Sequence, residues 1–140
     1  MLYLDTSVLI GALTPEAGTV RIQTWFALQD FNALNISHWT LTEFASALSA
    51  KTRTGQITPG LRAEAMAEFA KLAAETFVVN EVRRSHFIAA ARLVDNIALA
   101  LRGPDALHLA IALELGATLC THDKKLADAA AYVGAKVTIP

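Results

Sequence analysis

Cysteine is almost missing: Cys120 is the one thiol in 140 residues, so no disulfide can form within the chain. That usage suits a reducing cytosol and leaves stability to the core. Long apolar runs are missing too. The stretch from Phe87 to Leu101 is interrupted by Arg92, Asp95 and Asn96, which excludes it as a membrane span. No segment joins a basic start, an apolar stretch and a small-residue cleavage site, so a cytoplasmic location is expected. His38, His86, His108 and His122 lack H-x-x-x-H spacing, and a lone cysteine cannot complete a thiolate site, so the common zinc patterns do not occur. Neither sign of charge dominates. The net charge of −1 offers no basic surface for phosphates. If cations neutralised four of the acids, 9 of the 13 would face 12 Lys and Arg, a balance of +3. Nucleic acid is neither supported nor excluded on that basis.

What is present is apolar and evenly distributed. With 54% of residues hydrophobic and 18% charged, a packed core is expected rather than disorder. The length fits one domain over residues 1–140. Short apolar runs predict strands over Leu2–Leu4, Leu34–Ser37, Thr76–Val79, Thr118–Thr121 and Lys136–Ile139. Helical patterns cover Ser7–Leu13, Ala17–Gln29, Leu41–Thr52, Pro59–Ala74, Arg83–Leu101, Pro104–Leu115 and Lys124–Val133. Strands alternating with helical crossovers imply an α/β fold: a central parallel sheet of four to five strands between two helical layers. The apolar "TFVV" suggests a strand covered on both faces. Ser7 is placed to cap the first helix. Gly116 and Gly134 each close a helix just before a strand.

Against this outline, four acids call for explanation. Asp5 breaks the opening run "MLYLDTSVLI" at the carboxyl end of the first strand, the edge where ligands gather in open α/β sheets. It could be a turn residue, a helix cap or one of several acids around a metal. Asp123 in "ATLCTHDKKL" repeats the arrangement of strand, hydroxyl, acid and helix; a cap for the next helix is the plain alternative. Asp105 opens a helix, "GPDALHLAIALEL", that is apolar over most of its circumference and so reads as buried. Asp105 shares the remaining narrow face with His108 and Ala112. A buried acid needs a partner, a metal or a wet cleft, because an unpaired buried charge costs several kcal/mol. His108, one turn on, reads as a structural histidine rather than a ligand. Glu43 points away from the stripe of Leu41, Phe44, Ala45 and Leu48 in "TLTEFASAL". Alone it reads as an exposed glutamate, although its small neighbours Ala47 and Ala50 leave room for a large ligand.

Taken together, "YLDTSVLI", "TLTEFASAL", "LRGPDALHLAIA" and "TLCTHDKKLADAA" resemble the PIN domain, and most of all the VapC-type ribonuclease toxins of bacterial toxin–antitoxin pairs. The resemblance spans essentially the whole chain. It implies a parallel sheet whose first strand is central and adjacent to the fourth. It also implies one pocket lined by Asp5, Glu43, Asp105 and Asp123. By carry-over, Asp5 is a metal ligand, Asp105 and Asp123 hold metal directly or through water, and Glu43 completes the set. Thr6 and Thr121 occupy the family's hydroxyl positions, where they would steady the carboxylates. An all-oxygen site suits Mg²⁺ or Mn²⁺. The implied activity is metal-dependent endoribonuclease cleavage of tRNA, rRNA or mRNA, leaving a 5′-phosphate and a 3′-hydroxyl. Implied partners are a small antitoxin and a second copy of the chain. Without metal, four clustered carboxylates should raise the pKa of at least one of them.

Lys51, Arg53, Arg102, Lys124 and Lys125 are the cations available to guide an RNA backbone. His38 and Trp39 sit where substrate could pass; Trp39 would stack on a base or simply be buried. A receiver domain would need an acceptor aspartate after the third strand, where Asn80 and Glu81 stand instead. A haloacid-dehalogenase-type phosphatase would need Asp-x-Asp, and Ser7 fills the second position. The remaining alternative is a catalytically silent PIN-like module that binds RNA or protein.

Overall fold

In the computed structural model, which describes residues 1–31 and 33–140 with their side chains, five short strands form one all-parallel sheet. The strands are β1 (Leu2–Leu4), β2 (Leu34–Ser37), β3 (Val78–Asn80), β4 (Thr118–Cys120) and β5 (Val137–Thr138), in the order β3-β2-β1-β4-β5. The central position of β1, beside β4, is as expected. Among the described residues, seven α-helices connect them: α1 (Thr6–Leu13), α2 (Thr19–Ala27), α3 (His38–Arg53), α4 (Pro59–Glu75), α5 (Arg84–Asp95), α6 (Gly103–Glu114) and α7 (Lys124–Tyr132).

Side-chain alternation along the strands splits the core into two. Leu4, Leu34, Ile36 and Cys120 pack with residues of α1 to α4 on one face. Tyr3 and Leu119 pack with α5, α6 and α7 on the other. The sheet is therefore sandwiched, as parallel sheets require. Phe44 of α3 is fully buried and lies 4.1 Å, centroid to centroid, from Phe69 of α4. Every residue of α6 from Ala106 to Ala112 is buried, in keeping with its apolar circumference. Among the described residues, no helix is long and apolar enough to cross a membrane.

Three local expectations are corrected. The third strand begins two residues late because Thr76 N–H and Phe77 N–H both bond back to Leu72 O, closing α4. The strand order puts β3 at the edge of the sheet, and Val78 is half exposed rather than covered on both faces. The pattern over Arg83–Leu101 is two pieces: α5 stops at Asp95, and Asn96 then caps a separate 3-10 turn over Ile97–Leu99 by accepting Ala98 N–H. Ala100 leaves that turn with φ +49°, a left-handed conformation that no continuous helix allows. Finally, Ser7 is no cap: α1 begins at Thr6, with Asp5 at the N-cap position. Gly116 and Gly134 do close α6 and α7, with φ of +61° and +79°.

Candidate metal centre

Strand order and register create the site. The chain turns one way from β1 to β2 and the other way to β4, so a crevice opens at the carboxyl ends of β1 and β4. Leu4 pairs with Cys120, and Asp5 N–H continues the ladder to Cys120 O at 3.0 Å. Asp5 thus leaves the sheet level with Thr121. On the other side β2 runs directly into α3, which carries Glu43 one turn inside the helix. α6 brings Asp105 in its first turn, and Asp123 starts α7. All four acids line one cleft of about 440 Å³, together with Ser46, Ala47 and Ala50 of α3 and with Glu16.

Within the cleft, each of the two most central carboxylates is gripped through one oxygen. Asp5 is 5% exposed, and its Oδ2 accepts from Ser7 Oγ at 2.6 Å and Thr121 Oγ1 at 2.7 Å. Those hydroxyls are themselves held: Ser7 Oγ accepts His122 N–H, and Thr121 Oγ1 accepts Asp123 N–H, both at 2.9 Å. Glu43 Oε2 accepts from Thr6 Oγ1 at 2.6 Å and lies 2.7 Å from His108 Nε2. Thr6 therefore supports Glu43 and not its neighbour Asp5. Short bonds to ionised oxygens are about twice as strong as neutral ones.

The electrostatics differ from acid to acid. Burial alone would push the Glu43 carboxyl up, but the contact with His108 and the Thr6 hydroxyl bring it below the usual glutamate value. Asp105 goes the other way. Burial raises it, Asp123 and Asp5 add to the rise, and Arg102, 3.4 Å away, only partly offsets it. Carboxylates that raise one another's pKa share a site short of positive charge. Asp123 accepts Leu126 N–H at Oδ1 and so does cap α7 while lining the cleft. Asp5, Glu43 and His108 each present a ligand-type atom, all within 4.8 Å of one another. The anchored oxygens of Asp5 and Glu43, with Asp105 and Asp123 on the same cleft, fit a hard divalent cation by donor chemistry.

Residues 2–132 match the family model of the PIN domain. The chain belongs to the PIN-domain family. No curated protein matches it by sequence at a significant level. Among solved structures, this PIN domain is similar to the VapC20 toxin of Mycobacterium tuberculosis, described as cleaving the sarcin–ricin loop. The two share 17% identity and a TM-score of 0.76, with 100% of both chains covered. It is similar at 17% identity to a FitAcB chain of Neisseria gonorrhoeae, with TM-score 0.71 and 98% and 96% of the two chains covered. It also resembles VapBC-1 of nontypeable Haemophilus influenzae, at 17% identity and TM-score 0.67, with 99% and 98% covered. At these identities the likeness shows the fold.

Three features of the PIN cleft escaped the sequence reading. Ser7 clamps Asp5, a role hidden because two residues of separation suggested a cap. His108 is fully buried and touches Glu43, 65 residues away, a contact no local pattern reports. Glu16 reaches the rim and pairs with Lys51 at 2.8 Å. The cations named from sequence are partly engaged already: Lys51 with Glu16, Arg102 with Asp105 and Lys124 with Asp128. Arg53 and Lys125 are exposed and, among the described residues, pair with no carboxylate. Trp39 is partly buried against the α5–α6 core, which leaves little of it for stacking.

Proposed function

We propose that this PIN domain is a metal-dependent endoribonuclease of the VapC type, the toxin of a type II toxin–antitoxin pair. The supporting observation is the convergence of Asp5, Glu43, Asp105 and Asp123, from four separate segments, on one cleft at the carboxyl edge of the sheet. Asp5, Asp105 and Asp123 hold the cation directly or through water, and Glu43 completes the set. Bound Mg²⁺ or Mn²⁺ would lower the pKa of an attacking water and offset charge on the phosphate oxygens. The chain's own residues do the rest. Ser7 and Thr121 fix one oxygen of Asp5, Thr6 fixes one of Glu43, and the small side chains of Ser46, Ala47 and Ala50 leave room for a ribose–phosphate backbone. Arg53 and Lys125 supply unpaired positive charge for its approach, and hydrolysis leaves a 5′-phosphate and a 3′-hydroxyl.

The partner reading follows the same line. Solved complexes with this fold pair a toxin with an antitoxin, one from Klebsiella pneumoniae and one from Rickettsia felis bound to promoter DNA. We extend to this chain a small antitoxin that covers the cleft. A homodimer is supported by the apolar outer face of α5, where Phe87, Ile88 and Val94 are all exposed. A cytoplasmic location accords with the single buried thiol.

The decisive experiment incubates purified protein with end-labelled tRNA, rRNA and mRNA. Cleavage is expected with Mg²⁺ or Mn²⁺, none with EDTA, and none for Asp5→Asn. Cleavage that survives both EDTA and that substitution would refute the reading. RNA binding without cleavage under any of these metals would make the protein a silent binding module instead.

A further inference from the structure

His108 stands nearest the acids without being one. Its ring is fully buried on α6, one turn beyond Asp105. Nε2 lies 2.7 Å from Glu43 Oε2, 3.4 Å from Thr6 Oγ1 and 3.5 Å from Asp5 Oδ1. On the opposite edge Nδ1 lies 3.0 Å from Tyr3 Oη. Tyr3 Oη in turn lies 2.8 Å from Ser37 Oγ, at the end of β2. The proximity of Nε2 to Asp5 and Glu43 invites the view that the three form a nitrogen–oxygen metal site.

The hydrogen count argues otherwise. A ring nitrogen 2.7 Å from a carboxylate oxygen must share a hydrogen with it, and an ionised carboxylate has none to give. The hydrogen therefore sits on Nε2, whose lone pair is then withheld from any cation. With its hydrogen on Nε2 the ring offers the Nδ1 lone pair, and Tyr3 is the donor that reaches it. Tyr3 Oη then accepts from Ser37, whose oxygen lies 3.4 Å from the hydroxyl of Thr40, and Thr40 Oγ1 accepts Ser37 N–H at 3.2 Å. Each hydroxyl in the row donates once, and every donor points the same way.

We propose that His108 is a positioning residue and not a ligand: Ser37 and Tyr3 fix its tautomer so that Nε2–H pins Glu43 Oε2 opposite Asp5. The inference rests on the reading of the acids as cation ligands and adds how Glu43 is held among them. Thr6 and His108 donate to the same oxygen from two elements, α1 and α6. That grip keeps a glutamate on a third element close to Asp5 despite their like charge. Supporting partners of this kind change metal affinity by about 10–100-fold when removed.

The test starts on wild-type, metal-free, ¹⁵N-labelled protein, with long-range ¹H–¹⁵N spectra of the His108 ring. The expected pattern is hydrogen on Nε2 and none on Nδ1, unchanged when Mg²⁺ is added. Hydrogen on Nδ1, or loss of the Nε2 hydrogen on Mg²⁺ addition, would overturn the proposal. Calorimetric Mn²⁺ titration of folded variants supplies a second readout. His108→Gln keeps an N–H near Glu43 and should bind within about threefold of wild type, whereas His108→Leu should bind about 10–100-fold more weakly. Equal losses in both would indicate a nitrogen ligand and refute positioning. If wild type takes up no Mn²⁺, the ligand reading of the acids fails, while the metal-free ring spectrum still decides which nitrogen carries the hydrogen.

Discussion

Replacing Thr121 by valine should unlock the Asp5 carboxylate while keeping the shape of the side chain. Thr121 is fully buried. Its hydroxyl donates to Asp5 Oδ2 at 2.7 Å and accepts Asp123 N–H at 2.9 Å. The first bond, to an ionised oxygen, is worth about 1.5–3 kcal/mol, and leaving the second donor unpaired costs about 1–3 kcal/mol. Ser7 still holds the same Asp5 oxygen, so the loss should fall near the low end of that sum, about 3 kcal/mol. Unfolding entropy scales with length, so for 140 residues this corresponds to a drop of about 10 °C in Tm. Urea titration and thermal melts in EDTA measure both quantities, and Thr121→Ser, which keeps the hydroxyl, should recover most of the loss. RNA cleavage by the valine variant should fall at least about tenfold, since Asp5 is then held by Ser7 alone. A valine variant that melts within about 2 °C of wild type would refute the clamp, because effects below 0.5 kcal/mol are ordinary for uninvolved sites.

Other consequences follow from the same geometry. Asp105, raised by burial and by Asp123 and Asp5, binds its proton more readily folded than unfolded, so its charge costs stability as pH rises through the carboxylate range. Asp105→Asn should therefore raise the Tm of metal-free protein at pH 7, with the gain vanishing in acid; a lowered Tm at neutral pH would contradict this. Glu43 has the opposite sign: although burial alone raises its value, the His108 and Thr6 contacts leave it lowered. It contributes stability above its unfolded value that disappears as pH falls through the folded one, so Glu43→Gln should lower Tm at pH 7. Phe44→Ala removes a fully buried ring packed on Phe69 and should cost about 3–5 kcal/mol in urea denaturation. Phe87→Glu, on the exposed face of α5, should shift the chain toward monomer in sedimentation with its Tm changed little.

How far the sequence discloses this arrangement depends on whether the cause is local. Asp5 and Asp123 stand out because strand, acid and helix follow one another within a few residues. Asp105 stands out because an apolar helix leaves it a narrow face. Glu43 does not: a helical wheel ranks it only against its own stripe, whereas its environment comes from Thr6 on α1 and His108 on α6. The Tyr3–His108 contact joins residues 105 positions apart and is set by strand alternation, which turns Tyr3 toward α6. Errors at element ends have an equally concrete origin. Hydrophobic continuity ran through Asn96 although its side chain caps a new turn, and "TFVV" looked like one strand although its first two N–H groups finish α4. Ser7 reads as a cap from sequence because a hydroxyl two residues after a carboxylate suits a cap as well as a clamp. Short-range periodicity thus reveals the layers and the loop acids, but not the cross-chain hydrogen bonds that hold those acids in place.

Anomalous diffraction from crystals of the protein grown with Mn²⁺ would test the shared-carboxylate site most directly. A manganese peak is expected in the cleft within coordination distance of Asp5 and of at least one of Asp105 and Asp123, and it should be absent from the Asp5→Asn variant. Crystals that show no peak there at saturating Mn²⁺, or a peak only at some other surface, would contradict it.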